Sequence, residues 1–424
     1  MIRLFPPDEI LETTVSRLPL SKSVAARAMV LSALSGMRPD FSTLPDCRDI
    51  EVLREALWPE NEAGTIQKVD VADSGTALRF LTAYFAAKEG AEVEIDGSAR
   101  LRERPVGRLV DALRSLGAQI AYTGQEGHAP LRITGKKLEG AEVTLDASQS
   151  SQYVSALALI APTLPEGLRI HYGGRLPSMP YLKMTLEMLG RRGIEAYTEG
   201  YTAVIEPGTL RQVTPESEPD WTAASYWYSI AAVSAGWVTL PGLQAGSLQG
   251  DSILATLGER FGVVTEFGDE GAELSAHPDI YSRLDLDMTD YPDLVPALAV
   301  TGCLLGLPFV FTGVANLRVK ECDRLAVLSD NLARLGFGVT VGNDTIEWEG
   351  ERHPVMSMPE IDPHGDHRMA MAFAAAAFYC PGIVIHHPET VAKSYPGFFE
   401  DLSDAGFAVC GKDDPIPSSY LLSE

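Results

Sequence analysis

Cysteine is scarce and scattered. Cys47, Cys303, Cys322, Cys380 and Cys410 are odd in number and form no CxxC pair. That pattern excludes a disulfide framework and a structural zinc site, and points to a reducing, cytoplasmic setting. Positive charge is also short: 34 Lys and Arg stand against 58 Asp and Glu, a formal net charge of −24. So acidic a chain is a poor partner for nucleic acid or an anionic membrane surface. Any anion it binds must be met by a local concentration of cations. The start, MIRLFPPDEILETT, has neither a basic n-region nor an apolar h-region, so no signal peptide is expected. Long uninterrupted apolar runs are missing too. The longest candidate, residues 294–311, is divided by Pro296, Gly302, Gly306 and Pro308. It reads as a buried helix followed by a buried strand, not as a membrane span.

What is present is a repeat. LVDALRSLGAQIAY, LKMTLEMLGRRGIEAY, SILATLGERFGVVTEF, LSDNLARLGFGVTV and FFEDLSDAGFAVC share one pattern: an amphipathic helix, a glycine, then a strand-like run. The glycines, Gly117, Gly193, Gly262, Gly336 and Gly406, suit left-handed caps at helix ends and recur about every 70 residues. Six such units would fill the 424 residues. The length exceeds that of common solenoid repeats, which points to α+β units with helices packed against sheets. A polar, proline-bearing stretch at residues 214–220 lies near the midpoint and suits a domain boundary.

Several helix starts carry the residue types that meet anions. LPLSKSVAARAMVLSAL offers Ser21 and Ser23 as caps, with Lys22 at the positive end of the helix dipole and Arg27 beyond it. DSGTALRFL places a small turn with hydroxyls and free amides before an apolar helix, and Arg79 could add a cation. RLRERPVGRLVDALR gathers Arg100, Arg102, Arg104 and Arg108, with Pro105 suited to the first helical position. SQSSQYVSALALIAP sets Ser150, Ser151 and Gln152 before another apolar helix. YPDLVPALAV and VAKSYPGFF present Asp293, a cap or a general base, and Lys393. DPHGDHRMAMAF presents His364, Asp366, His367 and Arg368. Its His-x-Asp-His run resembles a metal site, but Arg368 would repel a dication. Each stretch alone is also what an ordinary capped helix looks like. Shared by parallel helices, they would make a surface that attracts anions through dipoles, amides and cations together. The densest stretch, ANLRVKECDRL, packs Arg318, Lys320, Glu321, Asp323 and Arg324 into one helix entrance.

Taken in order, SKS with Arg27, SGTALR, RERPVGRLVDALR, SSQ, PSMPY, EPDWTAASYW, YPDLVPAL, NLRVKECDRL, GDHRMAMA and KSYPGFF resemble the EPSP synthase family nearly end to end. The resemblance implies an α/β (α+β) fold of two similar domains, each of three βαβαββ units with parallel buried helices, an inside-out α/β barrel of the enolpyruvyl transferase type. It implies an inserted first domain, residues 16–217, and a second domain of residues 1–15 plus 218–424, with the active site in the cleft between them. The implied reaction joins phosphoenolpyruvate to the 5-hydroxyl of shikimate 3-phosphate and releases phosphate, with no metal or organic cofactor, in a monomer. By the same resemblance, Ser23, Arg27, Ser150, Ser151, Gln152, Ser178 and Tyr181 would meet shikimate 3-phosphate, with Lys22, Asp293 and Lys320 near its reacting hydroxyl or ring. Gly75, Arg104, Gln152, Arg324, Arg368 and Lys393 would meet phosphoenolpyruvate. Asp293 would be the base, Glu321 and Lys22 would deliver protons or assist the leaving group, and His367 would support them. The cations of ANLRVKECDRL would then serve two anionic substrates, with Glu321 as an acid/base group among them.

The sequence departs from the family pattern at Asp73, Phe80, Leu20 and Ala26. Asp73 places a negative charge where the phosphoenolpyruvate carboxylate is expected, unless Arg79 or another cation neutralises it. Three other readings compete: the sister transferase acting on UDP-N-acetylglucosamine, a metal-dependent hydrolase using His364, Asp366 and His367, and a catalytically impaired relative that only binds anions. The first would typically show Lys-Asn where Lys22-Ser23 stands, and a loop cysteine that the Arg100 to Arg108 region lacks.

Overall fold

The structure, a computed structural model, describes residues 1–59, 66–355, 359–417 and 420. The chain divides into two compact units. The first comprises Met1–Pro19, Glu218–Ser247 and Asp251–Glu424, and the second comprises Leu20–Ser217 and Leu248–Gly250. Residues 16–19 go with the first unit, where the Arg17 amide and Nη1 donate to Asp401 Oδ1 at 3.2 and 3.0 Å.

One motif accounts for every sheet. In the second unit, strand Gln67–Asp70 lies parallel to Glu92–Asp96 in the register Gln67↔Val93. Helix Gly75–Ala87 joins them. A second helix, Gly107–Ser115, leads to a hairpin of Gln119–Tyr122 and Leu131–Thr134, whose second strand pairs with Glu92–Asp96. The spatial order is therefore first, second, fourth, third. Strands from Glu142–Thr144 to Thr202–Ile205 repeat it, as do those from Leu284–Asp287 to Thr345–Trp348 in the first unit. Two further copies are assembled from distant pieces. Glu12–Thr14 pairs with Trp237–Pro241, and the N-terminal strand Ile2–Phe5 fills the fourth position beside Ile383–Ile385 and Ala408–Gly411. Helices Lys22–Leu34 and Arg48–Leu57 have no four-stranded sheet of their own among the described residues. Five of the six expected units thus carry full sheets.

The two helices of each motif differ by composition. The first is apolar on all sides and forms the core: residues 221–231, 295–303 and 369–377 are buried throughout. The second is amphipathic and buries one face, as in Met179–Arg191 and Arg324–Arg334. A left-handed glycine ends each second helix, or the short helical turn in its place, with φ of 94°, 83°, 81°, 85° and 90° at Gly117, Gly193, Gly262, Gly336 and Gly406. The next strand starts within four residues every time. Residues 294–311 resolve into helix Val295–Leu305, a left-handed Gly306 and strand Phe309–Thr312. No helix among the described residues is long and apolar enough to cross a membrane.

Core helices begin with short polar caps. Ser21 and Ser74 accept from the amides of Val24 and Ala77, and Asp220 and Asp366 from those of Ala223 and Arg368. Each cap satisfies an amide that the helix leaves open. Within each unit the three core helices pack on one another, so the polar residues at their ends are held by the buried core.

Candidate active site

In the first unit the charges converge on Arg324. Its side chain is 2% exposed and meets three carboxylates: Nε to Asp366 Oδ2 at 2.7 Å, Nη1 to Asp293 Oδ1 at 2.8 Å and Nη2 to Glu321 Oε2 at 3.0 Å. Arg368 and Lys320 add 3.1 and 3.6 Å contacts to Asp293, and Lys393 Nζ reaches Glu321 Oε1 at 3.1 Å. His367 is buried beside Asp366, with Nδ1 3.6 Å from its carboxylate. Burial opposes ionisation of Asp293, but Arg368, Lys320 and Arg324 overcome it and hold the carboxyl well below the usual range. Arg324 is itself held charged: burial works against it, and Asp366, Glu321 and Asp293 outweigh burial.

This arrangement does not fit the His-x-Asp-His metal reading. Asp366 is engaged by Arg324, while His364 lies half exposed 3.8 Å from Asp362. Among the described residues no group of three or more His, Cys, Asp or Glu is placed to hold a metal ion.

The second unit presents cations of another kind. Arg27 is buried at 2% exposure and, among the described residues, bonds neutral atoms: Thr185 Oγ1 (2.8 Å), the Ser23 carbonyl (2.9 Å), the Tyr181 carbonyl (3.2 Å) and Ser155 Oγ (3.5 Å). Its guanidinium also lies over the rings of Phe80 and Tyr181. Burial pushes its pKa down to about 10. Among the described residues no carboxylate compensates it, so an incoming anion would supply the missing partner. Lys22 is held by Asp49 at 3.0 Å.

Gln152 donates to Thr76 Oγ1 at 3.0 Å, which joins the start of its helix to the turn at Gly75. The Ser150 hydroxyl accepts from the Gln152 amide, and Ser151 begins the same helix. Ser178 adopts the left-handed conformation (φ 58°) at the start of the helix that carries Tyr181. Arg79 donates to the carbonyls of Gly75 (2.9 Å) and Pro105 (2.8 Å). A side chain at Gly75 would require its neighbours to shift: a Cβ there would lie 2.5 Å from Arg79 Nη1 and 2.7 Å from Arg104 Cζ.

Two expectations are corrected here. Pro105 is not at a first helical position. The helix starts at Gly107, and the Pro105 carbonyl instead receives Arg79 and the Tyr153 hydroxyl. The four-arginine cluster also disperses. Arg100 and Arg102 pair with Glu103 and Asp96 at the surface and Arg108 approaches Asp146, so only Arg104 is buried. As for Asp73, it is exposed and its Oδ1 accepts from the Ser98 hydroxyl.

Sequence reasoning missed Asp49, Thr185 and Asp251, because each matters only through a partner distant along the chain. Asp251 is buried and accepts from Thr222 Oγ1 at 2.5 Å. Burial, reinforced by the charge of Asp293, pushes its carboxyl up to about 7. In an unfolded chain the group would titrate near ~3.9. Between those values the folded state holds a proton the unfolded state has lost, so stability from this group falls as pH rises, by about 1.4 kcal/mol per unit. Asp251→Asn keeps an acceptor for Thr222. It is expected to raise the thermal midpoint at pH 8 and change it little at pH 4. Melts at both values check this, and equal shifts would remove charge as the cause.

Comparison with known proteins bears on the family and the fold. The family model for EPSP synthase (3-phosphoshikimate 1-carboxyvinyltransferase) matches residues 7–402. A protein of Bacteroides fragilis named 3-phosphoshikimate 1-carboxyvinyltransferase is 42% identical over 409 residues, covering 96% of this chain and 98% of the relative. One of that name from Methanoculleus marisnigri is 35% identical, covering 92% and 96%. The solved structure of EPSP synthase from Acinetobacter baumannii superposes with a TM-score of 0.74 at 25% identity, covering 97% and 99%. The repeated motif and its neighbours define an enolpyruvyl transferase fold. Within that class the chain belongs to the EPSP synthase (3-phosphoshikimate 1-carboxyvinyltransferase) family.

Proposed function

We propose that the two charged clusters carry out the reaction of this family. The chain is a transferase of aromatic amino acid biosynthesis: it moves the enolpyruvyl group of phosphoenolpyruvate to the 5-hydroxyl of shikimate 3-phosphate and releases phosphate. The observation that carries the site assignment is the pair of buried arginines. Arg27 has no carboxylate partner among the described residues, and Arg324 gathers three. Arg27, with Ser23, Ser150, Ser151, Gln152, Ser178 and Tyr181, holds shikimate 3-phosphate. Arg324, Arg368, Lys393, Arg104 and Gly75 hold phosphoenolpyruvate, and Lys320 serves the hydroxyl side.

In this reading Asp293 takes the proton of the 5-hydroxyl as its oxygen bonds to the enolpyruvyl carbon, and the methylene gains a proton from Glu321 or Lys22. The tetrahedral intermediate then loses a methyl proton and phosphate. Asp293 in the empty protein is too well neutralised to be a strong base. An anionic substrate on Arg368 and Arg324 offsets those cations and raises its proton affinity, so basicity arrives together with substrate. His367 supports the carboxylate side through Asp366. The protein acts as a cytoplasmic monomer, a reading supported by its five free thiols and strong acidity.

Phosphate release from the purified protein, omitting each substrate in turn and adding a chelator, tests the proposal. Release that needs both substrates and ignores the chelator is expected. Release with UDP-N-acetylglucosamine in place of shikimate 3-phosphate would favour the sister activity, and binding without release would favour an impaired relative. At Gly75, alanine displaces two guanidinium tips rather than backbone. Gly75→Ala is therefore expected to fold normally and raise the KM for phosphoenolpyruvate roughly tenfold, as sub-ångström misplacement of binding groups does. Steady-state kinetics with each substrate varied would show it.

A further inference from the structure

We infer that Tyr395 and Asp401 are positioning residues for Lys393, acting through a buried hydrogen-bond chain that starts at the core helix Trp221–Ser234. The inference rests on the proposed role of Lys393 in holding phosphoenolpyruvate.

Lys393 closes the 3-10 turn Pro388–Lys393. Two residues on, the Tyr395 amide donates to the Val391 carbonyl at 2.8 Å, so the backbone carrying Lys393 is one tight loop anchored at Tyr395. The Tyr395 side chain is fully buried. Its hydroxyl donates to Asp401 Oδ2 at 2.6 Å and accepts from Trp227 Nε1 at 3.2 Å. Asp401 is 2% exposed, and its other oxygen receives the Arg17 amide, Arg17 Nη1 and Ser16 Oγ. Gly397 allows this approach, since a Cβ there would lie 2.9 Å from Arg17 Cδ.

Packing alone does not call for these groups. The Tyr395 ring sits edge-on to Phe398 at 5.3 Å, in a cluster that also holds Trp227 and Tyr226. Phenylalanine would fill the same space without burying a hydroxyl, which costs desolvation. The hydroxyl instead fixes the ring in one orientation, and with it the turn from which Lys393 reaches Glu321. Directional bonds set a position more tightly than apolar contacts do.

The test compares wild type, Tyr395→Phe, Asp401→Asn, Lys393→Ala and the double variant Tyr395→Phe/Lys393→Ala. Tyr395→Phe is expected to raise the KM for phosphoenolpyruvate roughly three- to tenfold, the range of a coupled pair. The KM for shikimate 3-phosphate should stay within about twofold, and Asp401→Asn should act in the same direction. The effect should vanish once Lys393 is alanine. A matching rise for both substrates, no rise, or an undiminished rise in the Lys393→Ala background would overturn the inference in favour of a packing role. A wild type that releases no phosphate with both substrates would instead overturn the proposed function and this inference with it, so the two failures are distinct.

Discussion

Arg324→Met is expected to destabilise the protein by about 3–5 kcal/mol, the cost of removing one partner from a buried ion pair. Methionine matches much of the arginine's length, so the cavity is small and the loss is electrostatic. Asp366 is fully buried and has its shortest ion pair to Arg324, at 2.7 Å. Without the guanidinium it must protonate, admit water or repel Glu321 and Asp293. Arg324→Lys keeps the charge but not three divergent donors, so it should fall between the two. Chemical denaturation at pH 7 measures both. A loss below about 1 kcal/mol for the methionine variant would mean that the neighbouring cations take over the carboxylates.

The second large effect is on turnover. Asp293→Asn is expected to lower kcat by about 10²- to 10⁴-fold, the usual contribution of a general base. Shikimate 3-phosphate should still bind, because Arg27 and its partners all lie on the other unit. Asparagine has no proton-accepting group to titrate, so raising the pH should not rescue the variant. Phosphate release gives kcat, and calorimetric titration gives the binding. A fall of less than about tenfold would assign the base to another group.

Much of the architecture could be read before the structure. The five capping glycines marked the second helix of each motif because the αL conformation leaves a residue signature. The divided run at residues 294–311 announced a buried helix and strand for the same local reason. Pairings across sequence were not legible. Nothing near Glu12–Thr14 says that its neighbour is Trp237–Pro241, and nothing near Lys22 names Asp49. The arginines at residues 100–108 show the limit of counting charge. Their spacing is visible, but which one turns inward depends on the carboxylates that hold the others at the surface, two of them on other elements. Asp251 illustrates the same limit, since an aspartate in QGD signals nothing until burial raises its pKa.

The strand Ile2–Phe5 has a consequence for synthesis. Ile2 pairs with Ile385 on one side and Gly411 on the other, so this strand is made long before either of its partners and is among the last to find its place. Residues 20–217 emerge in between as one nearly self-contained unit and can close while the rest is still being made. The opening strand meanwhile waits with two unsatisfied edges, which is the state that invites pairing with another chain. Translation order therefore sets a window of vulnerability to aggregation, and it ends only when the final sheet is complete.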